Sequence, residues 1–305
     1  MWAIQYDRYG PPDVMRLVEA PDPVAGAGEV LVQVQASGVA PFDVKLRAGA
    51  LQQHFAPRFP QIPGRDGVGV VVALGAGVVD LAVGDRICLL APRGSGTAAT
   101  LIACPRTALV PAPSALTTAE AGALLQPGLS ALIAVETAAI SPGMRVLVHG
   151  GAGAVGGLMV QLLNHRGAIV SATCRAANRD YVRSRGAQRA IAYDEEDFTR
   201  IEPQDVVFDL IGGDVHARSY DVLRDGGQLV YLVAAPFVER SERGITVTRA
   251  MVTDRPDVMA AVVQAAADGI WRPGVVGTLP LADIGEAHRR IEAGEVTRGR
   301  IVLTL

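Results

Sequence analysis

The stretch RVLVHGGAGAVGGLMVQLLNHR, residues 145–166, decides the fold of this chain. An apolar strand runs directly into a G-x-G-x-x-G turn at Gly151, Gly153 and Gly156, and the turn opens a helix with one apolar stripe. In such a unit the first glycine permits the tight turn, the second lets backbone amides approach a pyrophosphate, and the third lets the helix pack close to the sheet. The helix N-terminus then faces the phosphates. The stretch therefore predicts a dinucleotide-binding turn.

The surroundings of this turn carry more weight than the string itself. Gly supplies 34 of the 305 residues, and a glycine-rich turn can join a strand to a helix without binding a ligand. The same strand-then-helix rhythm repeats downstream, with expected strands RVLVHG, AIVSAT, QRAIAY, DVVFDLI and QLVYLV. Repeated βα units of this length predict an α/β fold with a doubly wound parallel sheet, covered by helices on both faces.

The part of the chain before residue 117 has a different pattern. Apolar and polar side chains alternate with period two, between short turn signals of Gly, Pro and Asp. The expected strands cover residues 28–36, 67–73, 86–90 and 101–110. These features predict an antiparallel, partly barrel-like β domain with little helix.

The domain limits follow from the change of pattern. Thr117 and Glu120 have the spacing of a capping box, so a helix and a domain boundary are expected there. Further helices are expected over residues 256–268 and 282–293, before a final strand over 300–305. We predict a β-rich domain over residues 1–117, a nucleotide-binding domain over 118–265, and a return to the first domain over 266–305.

Charge and composition exclude several classes of function. Lys and Arg number 28 against 31 Asp and Glu, giving a net charge of −3, so the basic surface that nucleic-acid binding needs is missing. The first ten residues lack the apolar core of a signal peptide, and no uncharged run is long enough to span a bilayer. We expect an enzyme for a small-molecule substrate, with neither nucleic-acid nor membrane partners.

The cysteines indicate the compartment. Cys88, Cys104 and Cys174 are too widely spaced for a disulfide framework or a C-x-x-C metal site. A reducing cytoplasm is therefore the expected location.

The end of the second expected Rossmann strand indicates which cofactor the turn prefers. An NAD site would place Asp or Glu there, whereas this chain has Thr173 and Arg175, with Arg179 a turn later. A hydroxyl and a guanidinium suit a 2′-phosphate, because Arg forms bidentate charged hydrogen bonds to phosphate. NADPH is the predicted cofactor, and a solvated Arg at a strand end is the alternative.

Taken together, these motifs resemble the medium-chain dehydrogenase/reductase superfamily, in its zinc-independent quinone oxidoreductase branch. The matching stretches are GEVLVQVQASGVAPFDVKLRAG, PQIPGRDGVGVV, VGDRI, the glycine-rich loop, VVFDLIGGD and TRGRIVLTL. The resemblance implies a GroES-like substrate domain followed by a Rossmann domain that binds NADPH. It also implies three groups of cofactor-binding residues: Gly151, Ala152, Gly153, Ala154, Val155 and Gly156 at the pyrophosphate; Thr173, Arg175, Arg179 and Tyr193 near the adenosine phosphate; and Ile211, Gly212, Gly213, Leu232 and Val233 along the nicotinamide, with Arg300 reaching the cofactor as well.

The sequence departs from the zinc-bearing relatives at the ligand positions. Those relatives carry Cys after ASGV and His-Glu after PG, where this chain has Ala40, Arg65 and Asp66. The lobe with four closely spaced cysteines is also missing, so no zinc is expected. Thr97 and Ala40 stand where members of the branch often carry Tyr and Asn, which leaves the acceptor open.

The leading hypothesis is NADPH-dependent reduction of an activated C=C or C=O bond, as in an enone or a quinone. Asp43, Lys45 and Arg65 are the ionisable candidates to polarise or protonate the substrate, and a structural ion pair or a solvated charge is the alternative for each. The residues expected to supply apolar walls are Phe42, Leu46, Leu125 and Pro127.

Two further hypotheses are a non-redox catalyst that cyclises or isomerises its substrate, and a non-enzymatic NADPH-binding protein. A homodimer is also considered.

Overall fold

The computed structural model describes residues 1–55, 58–92, 94–232 and 242–305. The strands are β1 Trp2–Gln5, β2 Arg16–Glu19, β3 Glu29–Gly38, β4 Asp66–Leu74, β5 Arg86–Leu90, β6 Leu101–Pro105, β7 Leu109–Pro111, β8 Arg145–Val148, β9 Ile169–Cys174, β10 Arg189–Ala192, β11 Gln204–Asp209, β12 Leu223–Tyr231, β13 Thr246–Arg249, β14 Val275–Pro280 and β15 Arg300–Thr304. The α-helices are α1 Pro41–Arg47, α2 Thr118–Gly122, α3 Leu125–Thr137, α4 Ala154–His165, α5 Arg179–Ser184, α6 Asp214–Ser219, α7 Pro256–Ala267 and α8 Ile284–Glu292.

These elements form two compact units. The first unit is Met1–Gln126, Asp254–Ala267 and Pro273–Leu305, and the second is Pro127–Thr253 and Asp268–Arg272. The limits expected from the sequence, 117 and 265, therefore differ from the observed division. Helices α2 and α7 belong to the first unit, because α2 packs on β3 and β4 and α7 packs on β7. A local pattern shows where a helix begins but not which sheet it covers.

The first unit is built on a mostly antiparallel sheet of order β14-β15-β3-β4-β5-β7, with β6 also paired to β3. Only the β14–β15 pair within this sheet is parallel. Valine and isoleucine side chains of β3, β4 and β5 form its core, with Val32, Val71 and Ile87 fully buried. The antiparallel β domain predicted for this part of the chain is confirmed.

Two local predictions in this unit were wrong. Residues 101–110 form two strands, because Pro105 cannot donate to a sheet ladder and a 3-10 turn over Arg106–Ala108 follows it. Helix α1 was not anticipated; Pro41 begins it, and the Asp43 carboxylate accepts a hydrogen bond from the Ala40 N–H at 2.8 Å. The predicted cap of α2 is confirmed, since Thr117 and Glu120 form the capping box.

The second unit contains a parallel sheet of order β10-β9-β8-β11-β12-β13. Counted along the chain from β8, this is the 3-2-1-4-5-6 order of a Rossmann fold, so the predicted fold class is confirmed. The order reverses between β8 and β11, which pair in parallel from Val146 opposite Val206 to Val148 opposite Phe208. Ligands of such sheets bind outside the carboxyl ends of the strands at this reversal.

One helix of this unit is shorter than its pattern indicated. The run VHARSYDVLRDGG lies between the expected strands DVVFDLI and QLVYLV, where the strand-then-helix rhythm predicts a helix, but α6 ends at Ser219 and β12 already begins at Leu223. Gly226 adopts a φ of +71°, which a right-handed helix does not allow. Within the described residues, no helix combines the length and the apolar character needed to cross a membrane.

Candidate functional site

The glycine-rich turn lies at the carboxyl end of β8 and leads into α4. Its positive φ, +76°, falls on Gly150, one residue before the position expected from the motif. A Cβ on Gly151 would lie 2.6 Å from the Ala172 Cβ of β9, and a Cβ on Gly156 would lie 2.2 Å from the Gly150 carbonyl oxygen. Two of the motif glycines are thus required by close packing inside the protein.

Gly153 differs from the other two glycines of the motif. Among the described residues, the nearest atom to a Cβ there would be the Gly150 carbonyl oxygen, at 3.4 Å. Gly153 is also the N-cap of α4, and no side chain caps this helix. An uncapped N-terminus with room above it is what a pyrophosphate requires, so the turn fits the phosphates of a dinucleotide.

The turn after β11 lies beside the glycine-rich turn. The Asp209 Oδ1 accepts hydrogen bonds from the backbone N–H groups of Ile211 (2.8 Å) and Gly212 (2.9 Å). The Ile211 side chain is 54% exposed, and its Cδ1 lies 3.2 Å from the position that a Cβ on Gly150 would take. Gly212 and Gly213 both have positive φ, which keeps this turn tight.

The structure brings the expected nicotinamide residues to the same edge as the glycine-rich turn. Leu232 follows β12, and its N–H donates to the Asp209 carbonyl oxygen at 3.2 Å. The backbone N–H of His149 donates to the Phe208 carbonyl oxygen at 2.9 Å, which joins the ends of β8 and β11. Val233, predicted to bind the cofactor, lies outside the described residues.

The end of β9 presents an exposed cation. Arg175 lies directly after the strand, and its Nε donates to the Tyr193 hydroxyl at 3.2 Å. Tyr193 is 54% exposed, and no carboxylate pairs with Arg175 in the described part of the chain. Both residues thus form an accessible donor pair at the position where the 2′-phosphate was expected.

Two other predicted phosphate residues are engaged elsewhere. The Arg179 guanidinium donates to the carboxylates of Glu195 (2.7 Å) and Glu196 (3.1 Å), which arrive after β10. Thr173 is buried, and its Oγ1 accepts the backbone N–H of Gly150 at 3.1 Å. The predicted contacts of Arg179 and Thr173 with a phosphate are therefore corrected: Arg179 is ion-paired, and Thr173 holds the glycine-rich turn from inside.

Arg300 also has a role other than the one predicted. Its Nη2 and Nη1 donate to Asp66 Oδ1 and Oδ2 at 2.6 Å and 2.9 Å, and its Nε donates to the Val39 carbonyl oxygen. The Asp66 Oδ2 also accepts the backbone N–H of Gln126 at 2.9 Å. Both charged side chains are buried, so Arg300 serves the first unit as one half of a buried ion pair. The sequence contains one weak signal for this pair: Asp66 directly precedes the strand expected over residues 67–73, and Arg300 begins the strand expected over residues 300–305.

The three ionisable candidates have different surroundings in the first unit. Asp43 is buried as the cap of α1, and burial raises the pKa of its carboxyl to about 6. Arg65 forms an ion pair with Asp254. Lys45 is exposed and forms no hydrogen bond or ion pair within the residues that the structure describes. Of the three candidates, Lys45 alone has neither a hydrogen bond nor an ion pair in the described part of the chain.

The four residues predicted to form apolar walls differ in their exposure to solvent. Phe42 and Leu46 of α1 are half-buried, and the Phe42 ring packs edge-to-face on Phe55 with centroids 5.2 Å apart. Leu125 is 1% exposed and Pro127 is buried, so neither presents a surface to a substrate. Both lie in the first turn of α3.

Over residues 1–55, 58–92, 94–232 and 242–305, no group of three or more His, Cys, Asp or Glu side chains is arranged to hold a metal ion. The expectation that the protein needs no zinc stays a prediction.

Sequence reasoning missed several buried polar residues of the second unit. His149, Asp209, His216 and Ser219 lie behind the two turns, all with an exposed fraction of 1% or less. His149 and Asp209 directly follow or end apolar strands, which is a weak signal for such a position. Their hydrogen bonds are described below.

Comparisons with known proteins agree with this architecture. Residues 26–114 match the family model of the alcohol dehydrogenase GroES-like domain, and residues 185–303 match that of the zinc-binding dehydrogenases. The chain is 31% identical to the chloroplastic NADPH-dependent alkenal/one oxidoreductase of Arabidopsis thaliana, over 99% of this chain and 79% of that protein.

Solved structures give the same result. The quinone oxidoreductase of Coxiella burnetii has a TM-score of 0.89 at 28% identity, covering 100% of this chain and 99% of that one. The Escherichia coli quinone oxidoreductase complexed with NADPH has a TM-score of 0.90 at 25% identity, covering 100% of both chains. With its Rossmann sheet, its GroES-like unit and its glycine-rich turn, the chain belongs to the medium-chain dehydrogenase/reductase superfamily, in the quinone oxidoreductase-like branch.

Proposed function

We propose that this protein is an NADPH-dependent oxidoreductase that reduces an activated C=C or C=O bond, as in an enone or a quinone, by hydride transfer. The observation that carries the proposal is the open N-terminus of α4 at Gly153, placed beside the Ile211 turn where the strand order reverses. The names of the relatives, an NADPH-dependent alkenal/one oxidoreductase and an NADPH-bound quinone oxidoreductase, support the same cofactor and acceptor class.

The residues of the second unit fit the parts of NADPH. The backbone from Gly151 to Gly156 would hold the pyrophosphate, Arg175 and Tyr193 the 2′-phosphate, and the turn at Ile211 the nicotinamide side. When bound, NADPH supplies the hydride, and the chain orients the reactants and excludes water. Developing negative charge on the acceptor oxygen needs a nearby donor, for which Lys45 and Arg65 are the proposed cations.

The cofactor preference is testable at Arg175. We expect NADPH to bind more tightly than NADH, because the exposed Arg175 guanidinium donates to the Tyr193 hydroxyl and forms no ion pair with a carboxylate among the described residues. Arg175→Ala should weaken NADPH binding by about tenfold to a hundredfold and leave NADH binding unchanged. Calorimetric titration of both cofactors measures this. Arg183→Ala, which removes a half-exposed cation of α5, is the matched control. Equal affinities of the unaltered protein for NADPH and NADH would contradict the preference.

The chemistry is testable with a labelled cofactor. With an enone as the acceptor, NADPH deuterated at the transferable C4 position should deliver its label to the β-carbon of the saturated product, with loss of the reduced nicotinamide absorbance. Lys45→Met and Arg65→Met should lower turnover while NADPH affinity stays within about threefold. Arg16→Met, which removes an exposed cation of β2, is the control. If a substrate is cyclised or isomerised without label transfer, the protein is a non-redox catalyst instead.

Lys45 allows a sharper version of this experiment because it is the only lysine in the chain. An amine-selective acylating reagent can therefore modify only Lys45 and the N-terminal amine. If Lys45 stabilises the developing oxyanion, acylation should lower turnover in the unaltered protein and change nothing further in Lys45→Met. Full turnover after acylation would remove Lys45 from the proposal.

Three other expectations belong to the same proposal. The positions of zinc ligands hold Ala40, Arg65 and Asp66, which supports a reaction without zinc. The three cysteines are all buried and free, which is compatible with a cytoplasmic location. A homodimer stays a prediction.

A further inference from the structure

A buried hydrogen-bonded network lies behind the glycine-rich turn. His149, 1% exposed, places its Nδ1 3.2 Å from the Thr173 Oγ1 and its Nε2 3.2 Å from the Ser219 Oγ. At one end, the backbone N–H of Gly150 donates to the Thr173 Oγ1 at 3.1 Å. At the other end, the Ser219 Oγ donates to the Val215 carbonyl oxygen at 2.7 Å. These five residues are called the His149 network below.

The number of protons fixes the direction of every bond in this network. The single hydroxyl proton of Ser219 goes to the Val215 carbonyl, which can only accept, so the Ser219 oxygen must accept from the His149 Nε2–H. The Nδ1 of His149 is then an acceptor, and it takes the hydroxyl proton of Thr173. The Thr173 oxygen is left free to accept the Gly150 N–H. Only the neutral Nε2–H tautomer of His149 satisfies all these atoms at once.

The charges around the ring favour this neutral form. The pKa of His149 is lowered to about 4, mainly by burial; Asp209 raises this pKa, and Arg218 and His216 also lower it. A protonated ring would carry a second N–H pointing at Thr173, whose hydroxyl proton would then lose its acceptor. The Nε2–H tautomer is therefore the form present at neutral pH.

The same network reaches the second turn through helix α6. His216 and Ser219 lie three residues apart on α6, so they face the same side of the helix, and both are fully buried. The His216 Nδ1 lies 2.8 Å from the Asp209 Oδ2, while the other Asp209 oxygen accepts the N–H groups of Ile211 and Gly212. One face of α6 thus contacts the supports of both turns.

We infer that His149 is a positioning residue of the cofactor site: through Thr173 it holds the glycine-rich turn, and through Ser219 it ties that turn to α6 and so to the Asp209 turn. The inference rests on the proposed function, since it assumes that NADPH binds at these two turns. The network places both turns before any ligand arrives, which lowers the ordering cost of binding. Removing one link should weaken NADPH binding although the side chains of His149, Thr173 and Ser219 are all buried.

Thr173 is the best position for the test, because Val has nearly the same shape and lacks the hydroxyl. Thr173→Val leaves both the Gly150 N–H and the His149 Nδ1 without a partner, and NADPH affinity should fall by about tenfold. Thr173→Ser keeps the hydroxyl and should restore affinity to within about twofold of the unaltered protein. Ser171→Ala is the matched control, since Ser171 is buried on the same face of β9 and makes no side-chain hydrogen bond among the described residues.

The tautomer is measured separately, without a ligand. The 15N shifts of the His149 ring should show an unprotonated Nδ1 and a protonated Nε2 at about pH 7. In Ser219→Ala this preference should give way to a mixture of tautomers, because the acceptor for the Nε2–H is gone. A purely structural role of Ser219 would leave the ring shifts unchanged.

The outcomes separate this inference from the proposed function. If the unaltered protein binds no NADPH, the proposed function is wrong. The tautomer measurement then still tests the direction of the hydrogen bonds in the His149 network. If the unaltered protein binds NADPH and Thr173→Val binds it equally well, or Thr173→Ser is as weak as Thr173→Val, the positioning role is wrong. An Nδ1–H tautomer in the unaltered protein would overturn the direction of the network.

Discussion

Replacing Arg300 with methionine should lower the free energy of unfolding by about 3–5 kcal/mol, the largest loss we expect from a single side chain in the first unit. The substitution leaves the Asp66 carboxylate, 1% exposed, without its bidentate partner. The backbone N–H of Gln126 would be the remaining donor to Asp66 among the described residues, and one neutral donor does not compensate a buried charge. Denaturant titration of the purified protein measures the loss.

An exposed ion pair of the same unit provides the control. Glu286 and Arg290 pair at 2.7 Å on the surface of α8, both more than a third exposed. Arg290→Met should cost about 0.5 kcal/mol, because water screens such a pair. If Arg300→Met is no more destabilising than Arg290→Met, the Asp66–Arg300 pair contributes nothing to the first unit and the assignment of Arg300 to structure is wrong.

Alanine at Gly153 should weaken NADPH binding and leave the stability of the fold almost unchanged. Alanine at Gly156, in the same turn, should lower the stability of the fold. Gly153→Ala has room for its Cβ, so stability should change by no more than about 1 kcal/mol. The methyl group would, however, stand where the pyrophosphate approaches, removing two charge-assisted hydrogen bonds of about 1.5–3 kcal/mol each. NADPH affinity should therefore fall by about a hundredfold or more.

Gly156→Ala is the matched partner. Its Cβ would lie 2.2 Å from the Gly150 carbonyl oxygen and 2.9 Å from the Gly151 Cα, and backbone atoms cannot rotate away as a side chain can. The free energy of unfolding should fall by about 2–3 kcal/mol, which thermal or denaturant unfolding will show. A Gly153→Ala protein that binds NADPH normally would show that the cofactor does not approach this glycine, even if Gly156→Ala behaves as expected.

The amino-acid sequence by itself determined the features that depend on near neighbours along the chain. The βα rhythm after residue 140, the strand–turn–helix unit at the glycine-rich turn and the Thr117–Glu120 capping box were all predicted and are present in the structure. Backbone conformation, hydrophobic periodicity and capping act over a few residues, so a local pattern is enough to predict them.

Tertiary structure alone decided which polar and charged side chains are free to bind a ligand and which are bound by other residues of the protein. Thr173 and Arg179 were predicted to lie near the adenosine phosphate and Arg300 to reach the cofactor, yet the fold gives each of them a different protein partner. Asp66 lies 234 residues from Arg300, and Glu195 and Glu196 reach Arg179 only because β10 pairs with β9. A polar side chain meets whatever the fold brings within about 3 Å of it, and no local pattern encodes that distance. The fold also explains why Arg175 remains accessible. The partner that it places beside the Arg175 guanidinium is the Tyr193 hydroxyl and not a carboxylate.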